Sequence, residues 1–204
     1  RDRSPSRGLG DVYKRQTLAT VASAEYIDFK AILPYIDFVN IMSYDMGNAP
    51  KHHAALYRSA NSGWMTADAA VEAHLKAGVP ASKLTMGVPF YGRGGDHYPN
   101  FQDYRKVGGT TEFEKRWDDT AKVPYLANKD GVLVFGYENP RSLAIKCQYI
   151  LDKGLLGGMY WDYAGDNPQG DLRRTMYESL LVNKKGQAAP YHCLLYTSPS
   201  PRDG

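Results

Sequence analysis

The sequence contains little cysteine and no long apolar run. Only two cysteines occur in its 204 residues, Cys147 and Cys193. Cys193 lies in a C-terminal segment that is set aside below, and Cys147 alone can form neither an intrachain disulfide nor a cysteine-based metal cluster. No apolar stretch approaches the roughly 20 residues of a membrane-spanning helix, and no signal peptide is visible. The composition therefore favours neither a disulfide-rich domain nor a membrane-spanning one.

An excess of charge of one sign is also lacking once the two ends are set aside. The full chain has 25 Lys and Arg residues against 22 Asp and Glu residues, which gives a net charge of +3. Residues 17–192 carry 19 basic and 19 acidic side chains. The positive surplus therefore belongs to the ends. A balanced segment of this kind does not predict binding to nucleic acid or to an acidic membrane surface.

The two ends of the chain resemble translations of opposite strands of one transposase sequencing adapter. A DNA stretch that encodes residues 9–16, read on its opposite strand, can encode residues 193–200. Segments of that origin take no part in fold reasoning. We assign residues 1–16 and 193–204 to adapter-derived tails, expect neither structure nor function in them, and interpret residues 183–192 as a short native C-terminal segment.

Three short apolar runs each end in aromatic and charged side chains. They are residues 39–46, ending in Tyr44 and Asp45, residues 84–93, ending in Tyr91 and Arg93, and residues 155–162, ending in Trp161 and Asp162. In the first run, period-two alternation separates Asn40, Met42 and Tyr44 from Val39, Ile41 and Ser43. Both faces of this strand carry apolar residues, so we expect both to be largely covered, as in a parallel strand of an α/β fold.

The ends of these predicted strands have the chemistry of a sugar site. Ligands of α/β folds gather at the carboxyl ends of parallel strands. Sugar rings present apolar faces to aromatic side chains and hydroxyls to carboxylates and arginine. The three runs together therefore predict a groove with stacking surfaces.

Helix signals separate the runs. Thr66 is a predicted N-cap for a helix that ends before Gly78. Asn139 and Pro140 form a favoured N-cap and first-turn pair. A short helix is expected over residues 24–33, and Asp171 is the predicted cap of a final helix. Strand, loop and helix alternate as in the βα repeat of a barrel.

The pattern breaks between Arg93 and Pro140, over more residues than a simple connection needs. Short extended runs occur at residues 123–126 and 132–137, with a hairpin signal at Asp130-Gly131 between them. These runs favour a functional segment over residues 94–138, with a decorative surface loop as the alternative.

The motifs, in their order, resemble the last part of a family 18 glycoside hydrolase, the chitinase family. The matching residues are Met42-x-Tyr44-Asp45, Gly87-Val88-Pro89-x-Tyr91-Gly92-Arg93 and Gly157-Gly158-Met159-x-Trp161. The resemblance implies the C-terminal half of a TIM (β/α)8 barrel. Residues 17–93 would hold strands 5 to 7, residues 94–138 an α+β insertion between strands 7 and 8, and residues 139–182 the last helices and strand 8.

The resemblance also implies an activity and a missing residue. Such a protein cleaves β-1,4-linked N-acetylglucosamine polymers by substrate-assisted retaining hydrolysis, in which the substrate's own acetamido oxygen attacks. The family's general acid Glu stands in an Asp-x-x-Asp-x-Asp-x-Glu segment, and no such spacing occurs in this sequence. We therefore expect an inactive fragment of an enzyme.

Site roles carry over only at matching positions. The resemblance makes Tyr44 and Asp45 the catalytic pair, with Tyr44 holding the acetamido oxygen and Asp45 bonding the distorted sugar. It places Met42, Tyr91, Arg93, Met159 and Trp161 against substrate. Met42 and Met159 can equally be core residues, and Arg93 can instead pair with a structural acid.

No cofactor or metal is expected. His52 and His53 are adjacent, point apart and have no third ligand near them in the sequence, so we interpret them as loop histidines. The expected partners are chitin or N-acetylglucosamine oligosaccharides, with no nucleic acid. Two alternatives stay open, a chitinase-like lectin without the acid and an endo-β-N-acetylglucosaminidase that acts on N-glycans. For the longer protein the resemblance implies secretion or display at the cell surface. The oligomeric state cannot be read from the sequence.

Overall fold

The structure, a computed structural model, describes residues 16–95, 97–103 and 112–182. The strands are β1 (Thr17–Val21), β2 (Phe38–Met42), β3 (Leu84–Pro89), β4 (Glu114–Asp118), β5 (Val123–Ala127), β6 (Leu133–Gly136) and β7 (Gly157–Trp161). The α-helices are α1 (Phe29–Ile32), α2 (Ala67–Lys76), α3 (Pro140–Asp152) and α4 (Asp171–Tyr177), and residues 101–103 are also helical. Short 3₁₀ turns occupy Leu33–Tyr35, Ala81–Lys83 and Tyr163–Gly165, and a π turn occupies Glu178–Val182.

Two sheets divide the strands. One holds four parallel strands in the order β1-β2-β3-β7, and the other holds three antiparallel strands in the order β4-β5-β6. The antiparallel sheet lies in the chain between β3 and β7, which are neighbours in the parallel sheet. The architecture is therefore mixed α/β, and the antiparallel sheet belongs to the segment where the sequence pattern breaks.

The two faces of the parallel sheet differ in burial. On the helix-covered face, Val39 and Ile41 of β2 and Leu84 and Met86 of β3 are fully buried. On the other face Asn40 and Met42 are only partly buried. The expectation that both faces of β2 are largely covered therefore holds for the described residues, completely on one face and partly on the other. On β3, by contrast, all six residues are buried, so the difference between the two faces belongs to β2.

Turn and cap chemistry sets the ends of the elements. The Thr66 hydroxyl accepts from the Ala69 amide at the start of α2, and Asn139 forms a capping box with Ser142 at the start of α3. These two predicted N-caps are confirmed. The predicted hairpin is also present, with Gly131 at φ 79° between β5 and β6. A positive φ of this kind is adopted by glycine without the steric penalty of a Cβ.

Two helix boundaries differ from the sequence prediction. Within residues 24–33 the α-helix is limited to α1, which starts at Phe29 because the Asp28 side chain caps it by accepting from the Ala31 amide, and Ala24 has a positive φ of 61°. Gly170, not Asp171, is the N-cap of α4. The cap function passes to Asp166, whose carboxylate accepts from the amides of Leu172 and Arg173. The buried Asp166, five residues before Asp171 in the chain, thus caps the helix in place of Asp171.

Both predicted tails lie outside the described residues, apart from Gln16. Its amide donates to Asp37 Oδ2 at 2.7 Å, and its carbonyl accepts from the Asp37 amide at 2.7 Å. Residues 183–192 are likewise outside the described part. Within the described part, no helix combines the length and the hydropathy that crossing a membrane requires.

Candidate active site

The candidate site lies where β2, β3 and β7 end side by side. These strands are parallel neighbours, so the residues that follow them meet at one edge of the sheet. Gly87 of β3 pairs with Met159 of β7. A Cβ at Gly87 would lie 3.0 Å from both Met159 Cε and Tyr44 Cε1 and would collide with the Ile41 carbonyl. The absence of a side chain at Gly87 therefore lets Tyr44 and Met159 approach each other.

Asp45 leaves β2 in an uncommon backbone conformation. Its φ is 58°, in the left-handed region that only a few per cent of non-glycine residues adopt. The next residue is anchored, because the Met46 amide donates to the His53 carbonyl at 2.8 Å. Such conformations persist where the surrounding structure enforces them, and they cluster at functional sites. The chain here directs the Asp45 carboxylate toward β3.

Two of the predicted binding residues meet Asp45 directly. The Tyr91 hydroxyl donates to Asp45 Oδ1 at 2.8 Å, and Arg93 Nη1 forms an ion pair with the same oxygen at 3.2 Å. His53 Nδ1 lies 3.7 Å from it. All three protein groups converge on Oδ1. Within the described residues, no protein group bonds to Oδ2, and the Asp45 side chain is 49% exposed. One carboxylate oxygen is thus free to accept from a ligand.

The protonation states follow from these contacts. Burial by itself would raise the pKa of the Asp45 carboxyl, but the nearby His53, Tyr91 and Arg93 together lower it below its usual value. Burial, reinforced by the Asp45 charge, raises the pKa of both Tyr44 and Tyr91. At neutral pH the site therefore presents one carboxylate and two neutral phenols that can donate hydrogen bonds.

Arg93 is fixed by the antiparallel sheet. Its amide donates to the Gly136 carbonyl at 2.8 Å, and the Gly136 amide returns a bond to the Arg93 carbonyl at 2.9 Å. Gly92 lies so close to the Phe135 ring that a Cβ there would overlap it. The guanidinium stacks on the Tyr98 ring at 4.4 Å and donates to the Tyr98 hydroxyl. The antiparallel sheet thus forms one wall of the site.

Trp161 is the most open of the predicted site residues. Its backbone carbonyl accepts from the Phe90 amide at 2.7 Å, while its side chain is 59% exposed. The preceding Tyr160 projects to the other side of β7, where its ring stacks on Phe90 at 4.4 Å. Met159 shares the face of Trp161 and is partly buried, as is Met42 on β2. The arrangement leaves an exposed aromatic ring at the same edge of the sheet at which β2 and β3 end.

A buried polar layer lies behind this edge of the sheet. Lys146 of α3 forms an ion pair with Glu138 and donates to the Ala54 carbonyl at 2.5 Å, and both charged side chains are 1% exposed. His52 Nε2 lies 3.1 Å from Asp118 Oδ2 of β4. These contacts tie the loop after β2 to α3 and to the antiparallel sheet. They hold the loop that carries Asp45 in place.

The sequence did not identify His53 or Tyr98 as part of this environment. Nothing in the pattern distinguishes them from loop residues, because their role depends on contacts across the sheet edge. The two histidines do lie in a loop, as expected, but both are buried. In the part of the chain that is described, no group of three His, Cys, Asp or Glu side chains is placed to hold a metal ion.

Comparison with known families gives a match over most of the chain. The model of glycosyl hydrolases family 18 matches residues 13–166. This range contains all seven of the predicted site residues, from Met42 to Trp161. It also reaches into the segment that the sequence assigns to an N-terminal tail.

Individual relatives agree with that match. Chitinase A1 of Niallia circulans is 35% identical over 190 residues, covering 74% of this chain and 27% of the relative. Chitinase B of Serratia marcescens is 30% identical over 223 residues, covering 74% of this chain and 44% of the relative. Chitinase ChiW from Paenibacillus sp. str. FPU-7 superposes with a TM-score of 0.77 at 30% identity, covering 88% of this chain and 24% of that one. The chain thus spans a quarter to under half of the length of these relatives.

Proposed function

Since the chain belongs to glycosyl hydrolases family 18, we propose that it forms the substrate-binding part of a chitinase-like enzyme that cleaves β-1,4-linked N-acetylglucosamine polymers. The observation that carries the proposal is the meeting of Tyr44, Asp45, Tyr91 and Arg93 at the edge of the sheet where β7 also ends, in the exposed Trp161. The four parallel strands are then the last four of a TIM barrel, and β4 to β6 are the core of its insertion between strands 7 and 8.

The proposed chemistry uses the substrate's own acetamido oxygen as the nucleophile, so the protein's task is to position that group. Tyr44 keeps its proton because burial raises its pKa. Among the described residues, no side chain bonds to its hydroxyl, so the proton is available to the acetamido oxygen. Asp45 Oδ2 is the free acceptor for the sugar's N–H or hydroxyl. Tyr44 and Asp45 together would hold the sugar in its attack geometry.

The remaining predicted residues supply shape and hydrogen bonds. Trp161 offers an exposed ring on which an apolar sugar face can stack. Met42 and Met159 lie on the same side of the sheet and would line the base of the groove. Tyr91 and Arg93 carry donors that now point at Asp45 and lie within reach of a sugar bound there. Chitin or N-acetylglucosamine oligosaccharides are the ligands that fit this set.

The general acid would come from outside this sequence. No Asp-x-x-Asp-x-Asp-x-Glu segment occurs in the 204 residues, and the relatives are considerably longer. Proton transfer by such an acid typically contributes about 10² to 10⁴ in rate. We therefore expect the chain by itself not to hydrolyse chitin. Turnover would require the segment that carries the acid.

The decisive experiment is to recover the longer reading frame and assay its product. We expect an Asp-x-x-Asp-x-Asp-x-Glu segment upstream of Thr17 and hydrolysis of chitin oligosaccharides by the longer protein. A Gln or Leu in place of the Glu, with binding but no turnover, would replace the enzyme by a chitin-binding lectin. Turnover of N-glycans in place of chitin oligomers would assign an endo-β-N-acetylglucosaminidase. Chitin hydrolysis by the 204-residue chain would contradict the mechanism.

Tyr44→Phe tests the positioning role within that longer protein. Removing the hydroxyl should leave oligosaccharide affinity close to normal and slow turnover, because only the bond that orients the nucleophile is lost. Tyr35→Phe is the matched control, since Tyr35 is exposed and precedes β2, at the opposite end of the strand. Full turnover by Tyr44→Phe would remove Tyr44 from the catalytic pair.

A further inference from the structure

His53 is a buried histidine whose ring has no hydrogen-bond partner among the described residues. It is 2% exposed, and both Nδ1 and Nε2 lack a partner. Buried polar atoms are rarely left in this state, and each one costs about 1 to 3 kcal/mol. The polar atom nearest to its Nδ1 among the described ion pairs is Asp45 Oδ1, at 3.7 Å. The ring is therefore adjacent to the site but not bonded to it.

Asp45 already has two donors in this structure, and the proposed function places both within reach of a bound sugar. Tyr91 and Arg93 now satisfy Oδ1. When either turns to a sugar, a half-buried carboxylate loses a partner. A replacement donor must then come from the protein, since the free Oδ2 faces the ligand.

We propose that His53 is a positioning residue that acts as a reserve donor for Asp45. Its Nδ1–H would bond to Oδ1 when Tyr91 or Arg93 moves to the substrate, and it would keep Oδ2 directed into the groove. This inference rests on the proposed function, because the exchange of donors is needed only when a sugar binds. It concerns a residue that the site described above does not otherwise use.

The geometry suits an exchange of donors. A hydrogen bond between nitrogen and oxygen is about 2.9 Å long, so the 3.7 Å separation closes with a shift of under about 1 Å. The backbone around the two residues stays fixed, because Met46 donates to the His53 carbonyl. The His53 ring also lies 5.4 Å from the Tyr91 ring. If the Tyr91 hydroxyl moves away from Asp45, space therefore opens next to the His53 ring, which replaces Tyr91 as the donor.

Burial is the main reason that His53 stays neutral. Burial lowers the pKa of His53, the nearby Lys146 and Arg93 lower it further, and Asp45 opposes them. The titratable groups near the ring also include Tyr91, whose ring centroid is 5.4 Å away, and His52 and Tyr137, which line the same small cavity. A neutral imidazole carries a single N–H, which can serve Asp45 from Nδ1 without placing a second full charge beside Arg93.

A double-mutant cycle in the sugar-free chain tests the exchange. The measured quantity is the pKa of the Asp45 carboxyl, followed by ¹³C NMR in wild type, Tyr91→Phe, His53→Leu and the double variant. We expect each single change to raise this pKa a little, because a second donor remains, and the double change to raise it by more than the sum. Strictly additive shifts would overturn the proposal.

A second measurement keeps the test valid if His53→Leu does not fold. In Tyr91→Phe, where His53 is intact, the Nδ1 signal in ¹⁵N NMR should move to that of a protonated, hydrogen-bonded nitrogen. An unchanged Nδ1 signal would contradict the proposal. His53→Gln retains a side-chain N–H donor. In the Tyr91→Phe background it should therefore undo the rise in the Asp45 pKa that His53→Leu causes. His74→Gln is the control, because His74 is also buried but bonds to Thr20 and Ala70.

Kinetics in the longer protein separate this proposal from the proposed function. With chitotetraose as the probe, His53→Leu should lower kcat by about tenfold, the equivalent of one charge-assisted hydrogen bond. KM should change less, and His53→Gln should recover most of the rate. If wild type does not bind chitotetraose, the proposed function fails while the NMR cycle still decides the role of His53. If wild type turns over normally and His53→Leu does too, only the reserve-donor role fails.

Discussion

The two faces of the parallel sheet have the same strands but different tasks. The face toward the helices holds Val39, Ile41 and Met86, all fully buried and apolar. The opposite face holds Asn40, Met42 and the open ring of Trp161. Side chains on a strand alternate between faces, so each strand serves both at once. The helix-covered face can stabilise the domain while the open face remains available for a ligand.

Along one strand, the residues of one face contribute to stability and those of the other face are available for ligand binding. Removing atoms from the helix-covered face leaves a cavity in a packed core. Removing atoms from the partly buried face of β2 removes fewer packed contacts, because solvent already reaches part of these side chains. Neighbouring residues of the same strand should therefore respond in different assays.

The largest effect is expected for a pair of neighbours on β2. Ile41→Ala should lower the free energy of unfolding by roughly 2 to 5 kcal/mol, because Ile41 is fully buried among the helices. Met42→Ala should lower it by much less, since Met42 is only partly buried. Urea denaturation of both variants measures the difference. Equal losses would show that the open face is as tightly packed as the other.

Trp161→Ala should produce the next largest effect, and on affinity instead of stability. Loss of the exposed ring should weaken chitin-oligosaccharide binding by the longer protein by about 1 to 3 kcal/mol. The free energy of unfolding should change little, because 59% of the residue is exposed. Calorimetric titration with chitotetraose measures the affinity. Tyr177→Ala, another exposed aromatic, is the control, and unchanged affinity for Trp161→Ala would remove it from the site.

The smallest effect is a pH dependence shared by both sides of the sheet. Burial lowers the pKa of His74 behind the helix-covered face and of His52 and His53 near the site. The unfolded chain, with histidine pKa values of about 6.5, then binds more protons than the folded one. The free energy of unfolding should therefore fall as the pH drops below about 6.5.

Single variants show which histidine causes each part of this pH dependence of the free energy of unfolding. His74→Gln should remove the part that belongs to the helix-covered face and leave the rest. Denaturant midpoints between pH 7 and pH 5 measure it, in a range chosen around the usual histidine pKa of about 6.5. A lowered pKa of Asp45 and Asp118 acts in the same direction at lower pH, so the loss should continue in acid. A flat profile would show that the buried histidines titrate as they do in the unfolded chain.

Much of the fold could be predicted from local patterns. The strand ends, the Thr66 and Asn139 caps and the turn at Gly131 depend on residues close in the chain. The late start of α1 and the cap of α4 were not predicted, because Asp28 caps α1 at Phe29 and Asp166 bonds to amides six and seven residues further along the chain. Helix limits depend on tertiary contacts that a propensity argument does not include.

The sequence by itself determined which chemical groups stand at the strand ends, because apolar alternation and the ordered motifs place Tyr44, Asp45, Tyr91 and Trp161 there. Only the tertiary structure decided how they meet. Tyr91 and Asp45 are 46 residues apart in the chain, and the parallel neighbours β2 and β3 bring them within a hydrogen bond. The same packing buried His53 beside Asp45. Burial and contact across a sheet edge depend on every neighbouring element, and no spacing within one segment encodes them.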